Sequence, residues 1–112
     1  MSSTDKLVIT ALEGANPEQH VYALQGPLTI GNLLIAQEVL KSPAQVLILD
    51  LGAVPFIDSA GIGALVNCFV SRQKNGRRLL LAAPSDMVQK LFKVTRVNQL
   101  FETFPTLDAA RQ

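Results

Sequence analysis

The chain has 112 residues, of which 48% are hydrophobic and 17% charged, and its formal charge is +1 at pH 7. This composition is typical of a globular protein and excludes a disordered chain. The balanced charge gives no field that would draw the protein to nucleic acid or to an anionic membrane. We therefore expect one domain over residues 1–112, with no direct contact to nucleic acid.

Cysteine content and hydropathy point to a compartment. The only cysteine, Cys68, excludes an internal disulfide and a cysteine-based metal cluster. The first six residues lack the apolar segment of a secretory leader. No apolar run approaches the roughly 18 residues of a membrane span. We expect a protein of the reducing cytoplasm, with no membrane association.

The N-terminal third predicts two strands and a helix. A strand is predicted over residues 6–12, and turn residues separate it from a second, antiparallel strand at His20–Gln25. Thr29 or Asn32 is predicted to cap the helix that follows, and Ser42–Pro43 ends it. The apolar positions assigned to the core side of this helix are Ile30, Leu33, Leu34 and Leu40.

The middle of the chain reads as a buried strand, a short loop and a helix. Val46–Leu49 is an apolar run of the kind that is buried on both faces of a sheet. Gly52 and Pro55 interrupt it. The stripe of a helix packed on a core follows at Ile62, Leu65, Val66, Phe69 and Val70.

Asp58 and Ser59 stand at the junction of this loop and helix, and both residue types favour a helix N-cap. Gly61 and Gly63 are unusual inside a helix, since each costs about 1 kcal/mol relative to alanine. We interpret them as leaving a bare first turn that another molecule can approach closely.

The C-terminal part continues the alternation of strands and helices. Asn75–Gly76 ends the central helix, and a buried strand is predicted over Arg78–Ala83. Ser85–Asp86 cap the next helix, and a short edge strand or loop lies in Asn98–Phe104. Thr106 caps a final helix. This order predicts an α/β fold with a mixed sheet of four to five strands and about four helices.

The central segment carries a family resemblance. Leu49–Leu51 followed by Phe56–Gly63 resembles the signature of the STAS domain, which occurs in bacterial anti-sigma factor antagonists and in the cytoplasmic tails of sulphate transporters. The likeness continues through Gly76–Leu81 and Val88–Phe92, and so covers nearly the whole chain. Two departures are a shortened segment between Gly26 and Val46, and Leu28–Thr29 where many members carry an acidic residue.

The resemblance implies a non-enzymatic phosphoswitch. In similar antagonists the anti-sigma factor is a kinase that phosphorylates the serine corresponding to Ser59, and a serine phosphatase removes the phosphate. The unphosphorylated form would bind the anti-sigma factor and the phosphorylated form would release it. The surface expected to contact the partner comprises Thr29, Asp58, Ser59, Ala60, Gly61 and Ile62. No metal or cofactor is implied, and a monomer or weak dimer is expected.

The residues suit this chemistry. A phosphate adds about −1.5 to −2 charges at pH 7, and the first N–H groups of a helix attract anions. We expect the N–H groups of Ala60, Gly61 and Ile62 to accommodate the phosphate oxygens, so that the partner rather than the fold responds. Asp58 is interpreted as a helix cap, as a residue that orients Ser59 or contacts the kinase's metal, or as both.

Two other functions compete with the switch. The first is a scaffold subunit of a stress-signalling assembly or of a lipid-transport ATPase, in which Ser59 is never phosphorylated. A stable large assembly would favour the scaffold, and a monomer or dimer the antagonist. The second is a serine hydrolase, which the sequence disfavours because Ile57 breaks the Gly-x-Ser-x-Gly motif and His20 is the sole histidine.

The remaining candidates are interpreted structurally. His20 is predicted to be an ordinary, partly exposed histidine, and Cys68 a small core residue. The basic run is interpreted as a solvated helix end, with contact to an acidic partner as the minority interpretation; it comprises Arg72, Lys74, Arg77 and Arg78. The same applies to Lys90, Lys93 and Arg96. The aromatic set assigned to the core and its cover is Phe92, Phe101 and Phe104.

Overall fold

The computed structural model describes residues 6–112, in which a five-stranded mixed sheet carries four α-helices. The strands are β1 (Val8–Leu12), β2 (Gln19–Gln25), β3 (Val46–Ala53), β4 (Arg78–Ala82) and β5 (Glu102–Phe104). The helices are α1 (Leu33–Leu40), α2 (Ser59–Lys74), α3 (Asp86–Val94) and α4 (Leu107–Arg111), and a 3-10 turn at Ile30–Asn32 precedes α1.

The strands follow chain order across the sheet. β1 pairs with β2 antiparallel, and the pairs β2–β3, β3–β4 and β4–β5 are parallel. β3 is therefore the central strand, flanked by β2 and β4, and its apolar run is buried as expected. Since parallel strands end at the same edge, the loops that follow β2, β3 and β4 gather at one edge of the sheet.

The two faces of the sheet are covered unequally. Alternate β3 residues Leu47, Leu49 and Leu51 point into the larger core, to which α1, α2 and α3 contribute. Ile48 points to the other face, where it packs with Ala110 of α4. The central strand thus reads as continuously apolar because both of its faces are covered.

The sequence-based fold prediction is confirmed, including the antiparallel first strand, the short strand near residue 103 and the final helix capped by Thr106. Ser85 caps α3 as expected, accepting from the Val88 N–H at 3.3 Å. Across residues 6–112, no helix combines the length and apolarity needed to cross a bilayer. The expectation about a secretory leader concerns residues outside the described range, apart from Lys6.

The prediction for α1 is wrong in detail. Leu34 and Ile30, assigned to the core, are 86% and 74% exposed, and the buried positions of α1 are Ala36 and Val39. Neither Thr29 nor Asn32 makes a side-chain cap bond. The Asn32 amide instead donates to the Pro27 carbonyl at 2.7 Å.

The interpretation of Arg72 as part of a solvated helix end is also wrong. Its side chain is buried, with 5% exposure, and its guanidinium donates to the carbonyls of Ser42, Ala44 and Arg78. Burial lowers the pKa of Arg72, against the opposing influence of nearby Cys68. Arg72 therefore fastens the end of α2 to the segment that enters β3 and to the start of β4.

Three other structural interpretations are confirmed, whereas Val70, placed in the core-facing stripe of α2, is 41% exposed. Cys68 is buried, and its thiol donates to the Leu40 carbonyl at 3.5 Å. His20 is half-buried, with Nδ1 2.6 Å from the Ser42 hydroxyl. Phe92 and Phe101 pack edge to face in the core.

Candidate functional site

The site forms where the chain leaves β3 and begins α2. Asp58 is the N-cap: its backbone is extended, and its Oδ1 accepts a hydrogen bond from the Gly61 N–H at 2.8 Å. Its carbonyl accepts from the Ile62 N–H at 2.9 Å, which closes the first turn. A carboxylate here also complements the positive end of the helix dipole. The cap role predicted for Asp58 is confirmed.

Ser59 is the first residue of α2, and it is exposed. Its hydroxyl makes no hydrogen bond to any residue in the range 6–112. Asp58 caps the helix, so the Ser59 hydroxyl is not needed as a cap and faces solvent from a well-defined backbone. This is the accessibility that a phosphoacceptor requires.

The second carboxylate oxygen of Asp58 reaches another part of the chain. Oδ2 accepts a hydrogen bond from the Ile30 N–H at 3.0 Å, across 28 positions of sequence. The adjoining backbones are also paired, since the Asp58 N–H donates to Leu28 at 3.2 Å and the Leu28 N–H donates to Phe56 at 3.0 Å. These bonds bring Thr29 beside the start of α2, within the surface that the sequence assigned to a partner.

Gly61 packs inside the protein and does not leave an open first turn. It is buried, and a Cβ placed on it would collide with the Leu28 carbonyl and lie 2.7 Å from Cγ2 of Ile57. A Cβ on Gly63, by contrast, would meet no atom within 4 Å. The interpretation of Gly61 as space for another molecule is therefore wrong, whereas the surface at Gly63 is open.

The first-turn N–H groups are not all available to a phosphate. Those of Gly61 and Ile62 are bonded to Asp58, so the predicted cradle of three N–H groups is wrong for two of its members. Ile62 is also 7% exposed and contributes little surface, while Ala60 is half-buried. Of the three predicted N–H groups, only that of Ala60 is not bonded to Asp58 and stays open to a phosphate on Ser59.

An apolar surface that the sequence analysis missed adjoins Ser59. We call it the apolar rim, and define it as Ile30, Leu34 and Phe56, which are 74%, 86% and 44% exposed. Ile30 is bonded to Asp58 through its N–H, and Phe56 lies in the loop leading to Ser59. A signal was present in the sequence, because Leu33, Leu34 and Ile35 cannot all face one core from one helix.

The geometry gives no support to hydrolase chemistry at Ser59. His20 pairs with Leu47 near the start of β3, whereas Ser59 follows the end of that strand. The six ladder positions between Leu47 and Ala53 span about 20 Å at roughly 3.3 Å per residue. Within the described range, no three His, Cys, Asp or Glu side chains lie close enough to hold a metal ion.

Fold and site together define an α/β domain with an Asp–Ser pair at the start of the helix that follows its central strand. Comparison with protein families gives this class a name. The STAS domain model matches residues 12–110, and the chain belongs to this family.

Individual relatives extend the comparison. The chain is 35% identical over 57 residues to an anti-sigma-B factor antagonist of Listeria monocytogenes, a match covering 51% of this chain and 50% of the relative. The chain thus spans about half the length of the curated relatives it matches.

Solved structures share the fold. An anti-sigma factor antagonist from Mycobacterium paratuberculosis has a TM-score of 0.81 at 20% identity, covering 98% of this chain and 95% of that one. A sulfate transporter family protein from Wolinella succinogenes has a TM-score of 0.76 at 27% identity, covering 88% and 86%.

Proposed function

We propose that the protein is an anti-sigma factor antagonist, and that Ser59 is the residue whose phosphorylation controls it. In this proposal the unphosphorylated protein binds an anti-sigma factor that is also a serine kinase. Phosphorylation releases the partner, and a serine phosphatase restores binding. The protein itself performs no chemistry and works as a single cytoplasmic STAS domain.

The observation that carries the proposal is the exposed hydroxyl of Ser59, which is bonded to no residue from 6 to 112 and stands on a helix start that Asp58 caps. A kinase can reach this oxygen without unfolding the segment. The family membership and the name of the Listeria relative support the same function.

The switch follows from charge at an interface. A partner that covers Ser59 and the apolar rim removes both from water. After phosphorylation the same contact must desolvate a dianion next to the Asp58 carboxylate. A penalty of about 3 kcal/mol weakens binding by a little over a hundredfold. Since the Gly61 and Ile62 N–H groups are already bonded to Asp58, two of the three expected donors are not free to compensate that charge.

Affinity capture from the cells that make the protein tests the proposal. Ser59→Ala should retain the anti-sigma factor, and Ser59→Asp should lose it by a large factor. Ser71 is exposed on the same helix, so Ser71→Ala and Ser71→Asp are matched controls that should both retain it. Equal capture by the two Ser59 variants would contradict the proposed switch.

Phosphate mapping supplies the second arm. Protein recovered from those cells should carry one phosphate, located at Ser59 by fragmentation mass spectrometry. The Ser59→Ala protein should carry none, whereas Ser71→Ala should be labelled like the unaltered chain. Full labelling of Ser59→Ala would move the modification elsewhere and remove the proposed role of Ser59.

A scaffold or transport role is the second candidate, and the similarity to the Wolinella sulfate transporter family protein favours it. In that role the domain would act through stable packing with other chains. Size measurement of the complex in cell extract separates the two: a persistent large assembly that ignores Ser59→Asp favours the scaffold. A small complex that dissociates in Ser59→Asp favours the antagonist.

A further inference from the structure

Asp58 bonds to two separate elements with its two carboxylate oxygens. Oδ1 accepts a hydrogen bond from the Gly61 N–H within α2, and Oδ2 accepts one from the Ile30 N–H at the start of the 3-10 turn. That turn has no cap of its own, since the Thr29 side chain makes no cap bond. Asp58 therefore provides for the turn, from a distance, the acceptor that a local cap normally supplies.

The two bonds differ in their surroundings. The Gly61 bond is partly buried, and the helix dipole of α2 reinforces it. The Ile30 bond is exposed to solvent and lies just beyond the backbone bonds that pair Leu28 with Phe56 and Asp58. Water competes for the exposed Ile30 bond, which is therefore the weaker of the two.

We propose that Asp58 is the positioning residue of the switch: it ties the Ile30 turn to the helix that carries Ser59, and phosphate on Ser59 loosens that tie. This inference rests on the proposed function, because it assumes that Ser59 is the modified residue. The phosphate dianion repels the neighbouring carboxylate, which rotates toward the Gly61 N–H and away from Ile30. The turn then loses its acceptor, and the apolar rim loses its fixed arrangement.

The movement stays local because other bonds hold the surrounding backbone. The Asn32 amide remains bonded to Pro27 at 2.7 Å, and Leu28 remains bonded to Phe56 and Asp58. Only the turn that carries Ile30 is released. A partner that contacts both Ser59 and the apolar rim is therefore weakened by phosphorylation in two ways, through the added charge and through the altered shape of the rim.

The test uses the 112-residue chain with phosphoserine installed at Ser59 during synthesis, so it does not depend on finding the cellular kinase. Amide hydrogen exchange is measured by NMR for Ile30 and Gly61. Phosphorylation should speed exchange at Ile30 about tenfold, the effect expected from losing one exposed hydrogen bond. Exchange at Gly61 should change by less than about twofold.

Variants separate this tie from general loosening. In Asp58→Asn one amide oxygen can still cap Gly61, so Ile30 should exchange fast without phosphate and gain nothing further from it. Asp86→Asn is the matched control, because Asp86 is an exposed carboxylate in the first turn of α3, and it should respond as the unaltered chain does. A phosphate effect at Ile30 that persists in Asp58→Asn would overturn the proposal, as would none in the unaltered chain.

Ile30→Pro provides an independent arm should Asp58→Asn fail to fold. It deletes the donor while keeping Asp58, and proline suits the first position of a helical turn. The extended backbone of Thr29 (φ −132°, ψ 172°) also suits a residue before proline. The Asn32 N–H, which closes the turn on the Thr29 carbonyl, is the readout: phosphate should speed its exchange in the unaltered chain and leave it unchanged in Ile30→Pro. The same phosphate effect in both proteins would overturn the inference. If instead cellular protein lacks phosphate at Ser59, the proposed function fails while this measured coupling stands.

Discussion

Gly61 lies directly against the backbone carbonyl of Leu28. That carbonyl accepts a hydrogen bond from the Asp58 N–H at 3.2 Å, so the backbone of the helix start lies against the backbone of the segment after β2. A side chain on Gly61 would separate them and would also meet Ile57. Because Gly61 has no Cβ, the two segments come close enough for the Asp58 carboxylate to accept the Ile30 N–H.

Alanine at this position should be costly. Gly61→Ala is expected to lower the free energy of unfolding by about 1–3 kcal/mol, the range typical of forcing an extra group into a packed site. Gly63→Ala, where a Cβ meets nothing within 4 Å, should instead raise the free energy by about 0.5–1 kcal/mol through helix propensity. Urea denaturation of both variants measures the contrast. Equal effects of the two substitutions would show that Gly61 does not hold this contact.

The sequence predicted Asp58 as a cap because the signal is local: a carboxylate stands three residues before the N–H it accepts from. It did not predict the bond to Ile30, which spans 28 positions and depends on how β2 and β3 end. The same limit applies to Gly61. Its helical context was visible, whereas the carbonyl that excludes a side chain belongs to a distant segment.

The orientation of α1 is open to a direct test. Leu34→Ala should change the free energy of unfolding by less than about 0.5 kcal/mol, as expected for an exposed side chain. Val39→Ala, at a buried position of the same helix, should cost about 1–3 kcal/mol because it leaves a cavity. Thermal or urea unfolding of the pair gives the answer. A larger cost for Leu34 would restore the core position that the sequence assigned to it.

Arg72 should be the most sensitive of the basic residues at the end of α2. Arg72→Met removes the donor to the carbonyls of Ser42, Ala44 and Arg78, and is expected to cost about 2–4 kcal/mol as buried acceptors lose their partner. Lys74→Met, at an exposed position two residues later, should stay within about 0.5 kcal/mol. Similar losses in both variants would indicate that helix-end charge, rather than the buried bonds, is responsible.

Local pattern explains why the sequence failed at Arg72 and succeeded elsewhere. A cation in the last turn of a helix is favoured by the dipole whether it faces solvent or the core. The distinction comes from the carbonyls of Ser42 and Ala44, which approach only when the segment before β3 is in place. The strands and the caps at Asp58, Ser85 and Thr106 were predictable because their signals lie within a few residues of each other.

The buried thiol of Cys68 should make the free energy of unfolding fall as the pH becomes alkaline. Burial raises the pKa of Cys68, and nearby Arg72 lowers it by a smaller amount. Because the folded protein holds the thiol proton more tightly than the unfolded chain, this stabilisation is complete below the pKa of the unfolded thiol. It is lost as pH rises through the higher folded value. Urea unfolding should therefore show stability falling on the alkaline side, and Cys68→Ala, which removes the ionisable group, should flatten that part of the profile. A slope that survives in Cys68→Ala would assign the alkaline effect to another group.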